Sequence, residues 1–284
     1  MQPILAVFAH PDDESFSAAG VMAAAVERGL PVTVISATRG EAGESSIPGL
    51  DEPARLGVVR EEELREAMRQ IGVSDVRLLG YRDSGMAGSP SAEDPQAFIR
   101  APVEAVAARL VSDIQSVRPH AILTFGPEGL YGHPDHLHMH HVALRAIELA
   151  AGPSPEDRGA SEPWQTPALY FAAFPREEMV AIFDRPNSPL RSLPADVRAN
   201  VGTPRAQITH EISIKPWAER KRAAIASHRT QTAEGGPLSG IPPEVLEWQL
   251  AYEYFVRAPL PWTSPETRIA SDIIAVLAAE QNPG

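Results

Sequence analysis

The chain has 284 residues, 43% of them hydrophobic and 22% charged, which is typical of a soluble globular protein with a sizeable core. Its net charge of −12 argues against a nucleic-acid partner, because binding to phosphates depends on clustered cations. It contains no cysteine, which excludes disulfides, thiolate metal ligands and cysteine nucleophiles.

Strands and helices are predicted to alternate through the first two thirds of the chain. Short apolar runs with β-branched residues predict strands, whereas alanine-rich or amphipathic runs predict helices. In order, we predict a strand Ile4–Ala9, a helix Gly20–Arg28, a strand Pro31–Ala37, a loop Gly40–Pro53, a helix Arg60–Ile71, a strand Val76–Gly80, a helix Val103–Val117, a strand Ala121–Phe125, a histidine-rich helix after a loop from Gly126, and a strand Ala168–Phe174. This alternation predicts an α/β fold with a Rossmann-like, mostly parallel sheet and helices on both faces.

The last third is less regular. After an exposed loop over Gly152–Pro167, we predict a strand Gln207–Ile214 and helices Lys215–His228, Pro243–Arg257 and Thr267–Glu280. No repeat or linker is evident, so we expect a single domain over residues 1–284. No apolar run approaches the ~20 residues of a membrane span, and the start lacks a signal peptide's basic region. We therefore expect a cytoplasmic protein.

Two polar clusters follow predicted strands. Ala9–Glu14, with the sequence AHPDDE, comes directly after the first strand, and Tyr131–His136, with the sequence YGHPDH, follows the fourth. Ligands of open parallel sheets collect at the carboxyl ends of the strands. In a doubly wound sheet the first and fourth strands are commonly neighbours, so the two clusters are expected to face each other across one crevice.

The two clusters offer the ligands of a catalytic zinc, which takes three protein ligands and leaves a fourth position for water. His10, Asp13 and His136 would supply two nitrogens and one oxygen. Asp12 is then free to act as general base. His133 would polarise the substrate carbonyl or protonate the leaving amine, with Asp135 holding its ring.

Structural interpretations compete with these roles. An acidic pair at a strand end is often a helix start, with Asp12 or Asp13 as the cap. His138, His140 and His141 are spaced to lie on different sides of one helix, which favours packing or solvent over ligation. His120 is assigned to the entry of a strand.

The same residues resemble the LmbE-like (PIG-L) superfamily of zinc-dependent deacetylases, which act on N-acetylglucosamine groups. Its metal motifs match Ala9–Glu14 and His133–His136. Arg60–Leu64, Gly80–Met86 and Lys221–Gln231 also resemble family segments, the second of them a loop of mycothiol-pathway members.

The resemblance implies His10, Asp13 and His136 as zinc ligands, Asp12 as general base and His133 as the group that stabilises charge or protonates the amine. It also implies an oxyanion-stabilising Tyr131 and contacts of Arg60 and Asp83 with sugar hydroxyls, with Glu44 in a nearby loop. Without the resemblance, Arg60 would be assigned to a solvated surface helix and Asp83 to the turn before Gly85.

The implied reaction is removal of the N-acetyl group from an N-acetylglucosamine-type substrate, which releases acetate and a free amine. An amidase of thiol-conjugated glucosaminides is the nearest alternative, and the same ligand set accepts Fe²⁺, Co²⁺ or Ni²⁺ in place of Zn²⁺. The expected partner is a small amino sugar, without nucleic acid or membrane span, and a homo-oligomer is compatible with the sequence.

More distant alternatives are a non-catalytic sugar-binding module and a magnesium-dependent phosphoacceptor domain. The second requires a lysine after the last strand, but the only two lysines, Lys215 and Lys221, lie outside the regular alternation. Dinucleotide binding is excluded because no Gly-x-Gly-x-x-Gly follows the first strand.

Overall fold

A computed structural model describes residues 2–152, 162–183 and 201–279. Its centre is one seven-stranded sheet in the order β3-β2-β1-β4-β5-β7-β6. The strands are β1 (Ile4–Phe8), β2 (Val32–Ser36), β3 (Asp75–Leu78), β4 (Ala121–Phe125), β5 (Ala168–Ala173), β6 (His210–Ser213) and β7 (Tyr252–Ala258). The first five run parallel, and β7 pairs antiparallel with both β5 and β6. The predicted mostly parallel sheet is therefore confirmed.

Twelve α-helices accompany the sheet in the described part of the chain. They are α1 (Asp13–Ser17), α2 (Ala19–Glu27), α3 (Pro53–Ile71), α4 (Val103–Val117), α5 (Gly129–Gly132), α6 (Pro134–Ala150), α7 (Arg176–Phe183), α8 (Ala218–Ser227), α9 (Arg229–Thr232), α10 (Pro243–Ala251), α11 (Pro265–Ala270) and α12 (Ile273–Ala279). Short 3-10 helices cover Pro90–Glu93, Phe98–Arg100, Arg205–Gln207 and Lys215–Trp217. None of the described helices is long and apolar enough to cross a membrane.

The core lies around the central strands. Every residue of β1, β2 and β4 is buried, as expected for parallel strands covered by helices on both faces. Helix α4 packs against α6, whereas α2, α3 and α8 pack together as a second group. This arrangement leaves the carboxyl ends of β1 and β4 side by side at one edge of the sheet.

Three predicted elements are wrong in extent or type. The predicted helix Pro243–Arg257 ends at Ala251, and the chain continues as β7. The predicted helix Thr267–Glu280 is interrupted between α11 and α12, and its last residue lies outside the described part of the chain. Helix α3 begins at Pro53, seven residues before the predicted start, because a proline suits the first turn of a helix.

A buried ion pair joins the last third of the chain to the region after β1. Lys221 on α8 lies 2.8 Å from Glu253 on β7, and both side chains are 1% exposed. Glu253 accepts hydrogen bonds from the N–H groups of Gly20 and Val21 at the start of α2, and Lys221 donates to the carbonyl of Phe16. The pair therefore anchors α2 to α8 and β7.

Replacing Lys221 with alanine is expected to lower the free energy of unfolding by about 3–5 kcal/mol, because it leaves the Glu253 carboxylate buried without its cation. Urea denaturation measures this change. The matched control is Arg220→Ala on the same helix. Arg220 also faces a glutamate, Glu27, but the pair is 3.6 Å apart and Arg220 is 47% exposed. The control should change stability by less than ~0.5 kcal/mol, and equal losses in both variants would contradict the anchoring role.

Candidate active site

The two polar clusters meet at one edge of the sheet. His10 and Asp13 follow β1, with Asp13 as the first residue of α1. His136 lies in the first turn of α6, after the short helix α5 that follows β4. Because β1 and β4 are hydrogen-bonded neighbours, the two clusters lie next to each other and their side chains are in contact.

The side chains of His10, Asp13 and His136 converge on one point. His10 Nδ1 lies 3.4 Å from Asp13 Oδ2 and 3.3 Å from His136 Nε2, and His136 Nε2 lies 3.1 Å from Asp13 Oδ1. All three residues are buried. Burial disfavours the charged form of Asp13, but His136 and His10 outweigh it and hold the pKa of Asp13 well below its usual value.

The outer nitrogens of both imidazoles have partners of their own. His136 Nδ1 lies 3.1 Å from the carbonyl of Gly129, and His10 Nε2 lies 3.1 Å from Asp135 Oδ2 and 3.3 Å from Asp83 Oδ1. A neutral imidazole that donates from its outer nitrogen has a lone pair on the inner one. Two lone pairs and a carboxylate that face one another repel unless a cation lies between them.

The donor set therefore fits a divalent metal ion. Tetrahedral zinc holds nitrogen and oxygen ligands at about 2.0–2.2 Å, so that neighbouring ligand atoms are roughly 3.3 Å apart. The 3.3 Å between His10 Nδ1 and His136 Nε2 agrees with this spacing, and Asp13 presents one carboxylate oxygen to each nitrogen, at 3.4 and 3.1 Å. The phenyl ring of Phe125 stacks on His136 at 4.0 Å between centroids and fixes the plane of that ring.

His133 lies beside this cluster. Nitrogens of His10, His133 and His136 all lie within 4.8 Å of one another. His133 Nδ1 accepts a hydrogen bond from the Asp135 N–H at 3.2 Å, so the proton of the neutral ring is on Nε2. Burial lowers the pKa of His133 to about 2. Tyr131 is half-buried, with its ring edge-on to His136 at 5.0 Å between centroids.

Asp135 is placed differently from the prediction. Its carboxylate does not hold the ring of His133, since Oδ2 faces His10 and accepts a hydrogen bond from the Ser84 N–H. His133 is held by the backbone of Asp135 instead. As residue two of α6, Asp135 has an N–H that is free to donate to the preceding side chain, and this local geometry caps the helix.

Asp12 has a strained backbone and a charged partner. Its φ and ψ are 109° and −32°, a region that costs a non-glycine residue of order 1–3 kcal/mol. Asp12 is the N-cap residue of α1, as one interpretation predicted, but among the described residues its side chain makes no capping hydrogen bond. Instead, Oδ2 accepts a hydrogen bond from Arg60 Nη2 at 3.0 Å. Burial raises the pKa of Asp12 to about 6, although Arg60 opposes the shift.

Arg60 lies under the site rather than on a solvated helix face. Its side chain is 5% exposed, and its guanidinium also donates to the carbonyls of Gly40 and Pro11 at 2.6 and 2.7 Å. Gly40 has a φ of +66°, and a Cβ there would lie 2.3 Å from Arg60 Nη1. The surface-helix interpretation of Arg60 is therefore wrong, and glycine is required at residue 40.

The two other predicted substrate contacts differ from each other. Asp83 is buried at the cluster, with Oδ1 near His10 and accepting from the Gly85 N–H, and with Oδ2 accepting from the Ala42 N–H. Glu44 is exposed, and its carbonyl accepts a hydrogen bond from Gln231. Within residues 2–152, 162–183 and 201–279, its carboxylate has no hydrogen bond or ion pair that would bring it to the cluster.

A cavity of about 690 Å³ opens beside Asp83. It lies between the loops after β2 and β3 and the start of α3. Its lining mixes charged and aromatic side chains, including Arg39, Glu41, Tyr81 and Arg82. Through Asp83, the cavity adjoins the cluster around His10 and provides room for a polar ligand.

Three residues that sequence reasoning did not single out complete the site. Glu14 Oε2 accepts a hydrogen bond from the Asp12 N–H, and Glu14 Oε1 lies 3.0 Å from His228 Nε2. Ser15 donates to the same Oε1. Glu14 and His228 lie within sequence segments that match the family motifs, which was the available signal. Their contact spans 214 residues and could not be predicted from spacing.

The other histidines of α6 have structural environments. His140 is buried and its Nδ1 lies 2.9 Å from the carbonyl of Phe125, whereas His141 is exposed. His138 packs edge-on against Phe98. His120, before β4, contacts the carbonyl of Ser271. The prediction that these residues pack or face solvent agrees with this placement.

Comparison with known proteins gives consistent matches. Residues 5–147 match the family model of PIG-L, described as GlcNAc-PI de-N-acetylase. The chain is 38% identical over 266 residues to 1D-myo-inositol 2-acetamido-2-deoxy-alpha-D-glucopyranoside deacetylase of Thermomonospora curvata, covering 89% of each chain. It is 37% identical to the Thermobifida fusca protein of the same name, over 93% of this chain and 96% of that one. Among solved structures, N,N'-diacetylchitobiose deacetylase from Pyrococcus horikoshii is similar in fold, with a TM-score of 0.63 at 19% identity over 92% and 88% of the two chains.

Proposed function

Because this chain belongs to the PIG-L family of de-N-acetylases, we propose that it is a zinc-dependent hydrolase that removes the N-acetyl group from an N-acetylglucosamine-type substrate. The products are acetate and a free amine. One observation carries the proposal. His10, Asp13 and His136 present three donor groups within 3.1–3.4 Å of one another, with the carboxylate of Asp12 beside them.

In this proposal His10, Asp13 and His136 hold the metal ion. When bound, the ion lowers the pKa of a coordinated water to about 7 and polarises the substrate carbonyl. Zinc suits two imidazoles and one carboxylate, although iron, cobalt and nickel accept the same donors. Asp83 and Asp135 orient His10 through its Nε2, which is the usual arrangement around a metal-bound histidine.

Asp12 is the general base of the proposal. Its carboxylate takes the proton of the attacking water, and a pKa of about 6 keeps it ionised but basic near neutral pH. Arg60 holds the carboxylate through Oδ2, which leaves Oδ1 for the water. The proton then passes to the amide nitrogen as the carbon–nitrogen bond breaks, so that the amine leaves neutral.

His133 and Tyr131 would stabilise the developing negative charge on the carbonyl oxygen. His133 is neutral with its proton on Nε2, and it can therefore donate a hydrogen bond without carrying charge. Burial raises the pKa of Tyr131, so its hydroxyl also remains a donor. Hydrogen-bond donors placed where charge develops are a large source of rate enhancement.

The curated relatives support a glucosaminyl-inositol as the substrate, since they are named for deacetylation of 1D-myo-inositol 2-acetamido-2-deoxy-alpha-D-glucopyranoside. In the proposal, the cavity beside Asp83 receives the part of the substrate that carries no acetyl group. Asp83 then contacts a sugar hydroxyl in addition to His10 and the N–H groups of Gly85 and Ala42. Glu44 contributes to the rim of this site only if its exposed carboxylate turns towards the cavity.

We expect the purified protein to contain about one divalent metal ion per chain, and His136→Ala to lose it, because one of three protein ligands is removed. Elemental analysis after dialysis measures the metal content. His141→Ala is the matched control, since His141 is exposed on the same helix. Retention of the metal by His136→Ala would overturn the proposed ligand set.

Asp12→Asn should lower kcat by roughly 10²–10⁴-fold while the metal content stays unchanged, because a proton acceptor is lost without loss of a ligand. Acetate release and elemental analysis on the same sample measure both quantities. Asp51→Asn, an exposed aspartate on another loop, should behave like the wild type. An Asp12→Asn protein without metal would show that Asp12 is a ligand and not the base.

Substrate choice is tested by acetate release from N-acetylglucosaminyl-inositol and by amine release from a thiol-conjugated glucosaminide, under the same conditions. We expect a higher kcat/KM on the first substrate, for which the relatives are named. A higher kcat/KM on the conjugate would replace the deacetylase with the amidase. If the metal-loaded wild type acts on neither substrate, the proposed function fails.

A further inference from the structure

Asp12 lies in a backbone conformation that side chains other than glycine rarely adopt, with φ at 109°. Its N–H donates to Glu14 Oε2 at 3.0 Å, and its carbonyl accepts from the N–H groups of Ser15 and Phe16. The carbonyl contacts are ordinary for the start of a helix. The side-chain acceptor for the N–H is the contact that specifically favours this conformation.

The carboxylate of Glu14 is held in place for this contact because its other oxygen, Oε1, is bound by Ser15 and His228. Glu14 is 1% exposed, and its Oε1 accepts from Ser15 Oγ at 2.6 Å and lies 3.0 Å from His228 Nε2. A buried carboxylate needs a charged or hydrogen-bonding partner. His228, completely buried, is that partner, and Glu14 raises the pKa of His228 against the effect of burial.

The segment that carries His228 is docked onto the same helix as Arg60. Thr230 donates from both its N–H and its hydroxyl to the carboxylate of Glu63 on α3, at 3.0 and 2.6 Å. Asp12 is therefore held at two places by one rigid unit. Arg60 contacts its carboxylate, and His228 reaches its backbone through Glu14.

We propose that His228, acting through Glu14, is a positioning residue that keeps Asp12 in its left-handed backbone conformation and so directs its carboxylate at the reacting water. The inference rests on the proposed role of Asp12 as general base. His228 contacts none of the three proposed metal ligands through a hydrogen bond or ion pair in the described residues. Its loss should therefore affect turnover rather than metal binding.

The competing explanation is that Glu14 and His228 only join the C-terminal third to α1. Two substitutions of similar size separate the explanations. His228→Gln keeps a neutral N–H donor towards Glu14, whereas His228→Leu removes the donor. Arg229→Ala is the control, because Arg229 is the next residue and 75% exposed.

We expect His228→Leu to lower kcat by about tenfold or more, with KM and metal content unchanged, because a small displacement of a catalytic group is costly. His228→Gln should recover most of the loss, and Arg229→Ala should match the wild type. Acetate release at several substrate concentrations and elemental analysis give these quantities. The inference would be overturned if His228→Leu had the same kcat as the wild type. It would also be overturned if the Leu and Gln variants lost activity only in proportion to the metal that they lost.

Ser15→Ala keeps the test decisive if His228→Leu does not fold. It removes the hydroxyl that donates to Glu14 Oε1 and that lies 3.1 Å from His228 Nε2, and alanine suits a helix. A several-fold loss of kcat at constant KM supports the inference, and an unchanged kcat contradicts it. Failure of this inference is distinguishable from failure of the proposed function, because in the second case the metal-loaded wild type would release no acetate.

Discussion

The parallel pairing of β1 with β4 is the constraint on which the site depends. The pairing begins at Ile4 and Ala121 and carries both strands to the same edge of the sheet. Without it, the polar segments after the two strands would lie far apart, since His10 and His136 are separated by 126 residues. Both strands are buried throughout, so the apolar core determines where the charged groups meet.

Much of this arrangement can be predicted from the sequence because it follows from local pattern and topology. The strands β1, β2 and β4 are buried and largely apolar, and the proposed ligands lie in the segments after β1 and β4. β7 was predicted as a helix because the apolar pattern of Pro243–Ala251 continues into it. Its aromatic and β-branched residues favour a strand, and pairing with β5 and β6 decides the outcome. The expectation of a single domain stays a prediction.

The contacts that could not be predicted are those between distant segments. The contact of Arg60 with Asp12 could not be predicted, because the two residues are 48 apart in the sequence and meet only when α3 packs beneath the loop after β1. The contact of His228 with Glu14 could not be predicted from residue spacing for the same reason. The prediction for Asp135 was wrong for a different reason: its carboxylate contacts His10, whereas its N–H binds His133. Sequence reasoning assigns one role to a residue, whereas the structure uses its side chain and backbone separately.

The strain at Asp12 explains how three successive acidic residues serve three purposes. In an ordinary helix start, Asp12, Asp13 and Glu14 would fan out around one axis and compete for the same solvent. The positive φ of Asp12 turns the chain sharply between β1 and α1. Each carboxylate then has polar partners of its own, which keeps the three acids apart. Arg60 contacts the first, the imidazoles of His10 and His136 the second, and His228 the third.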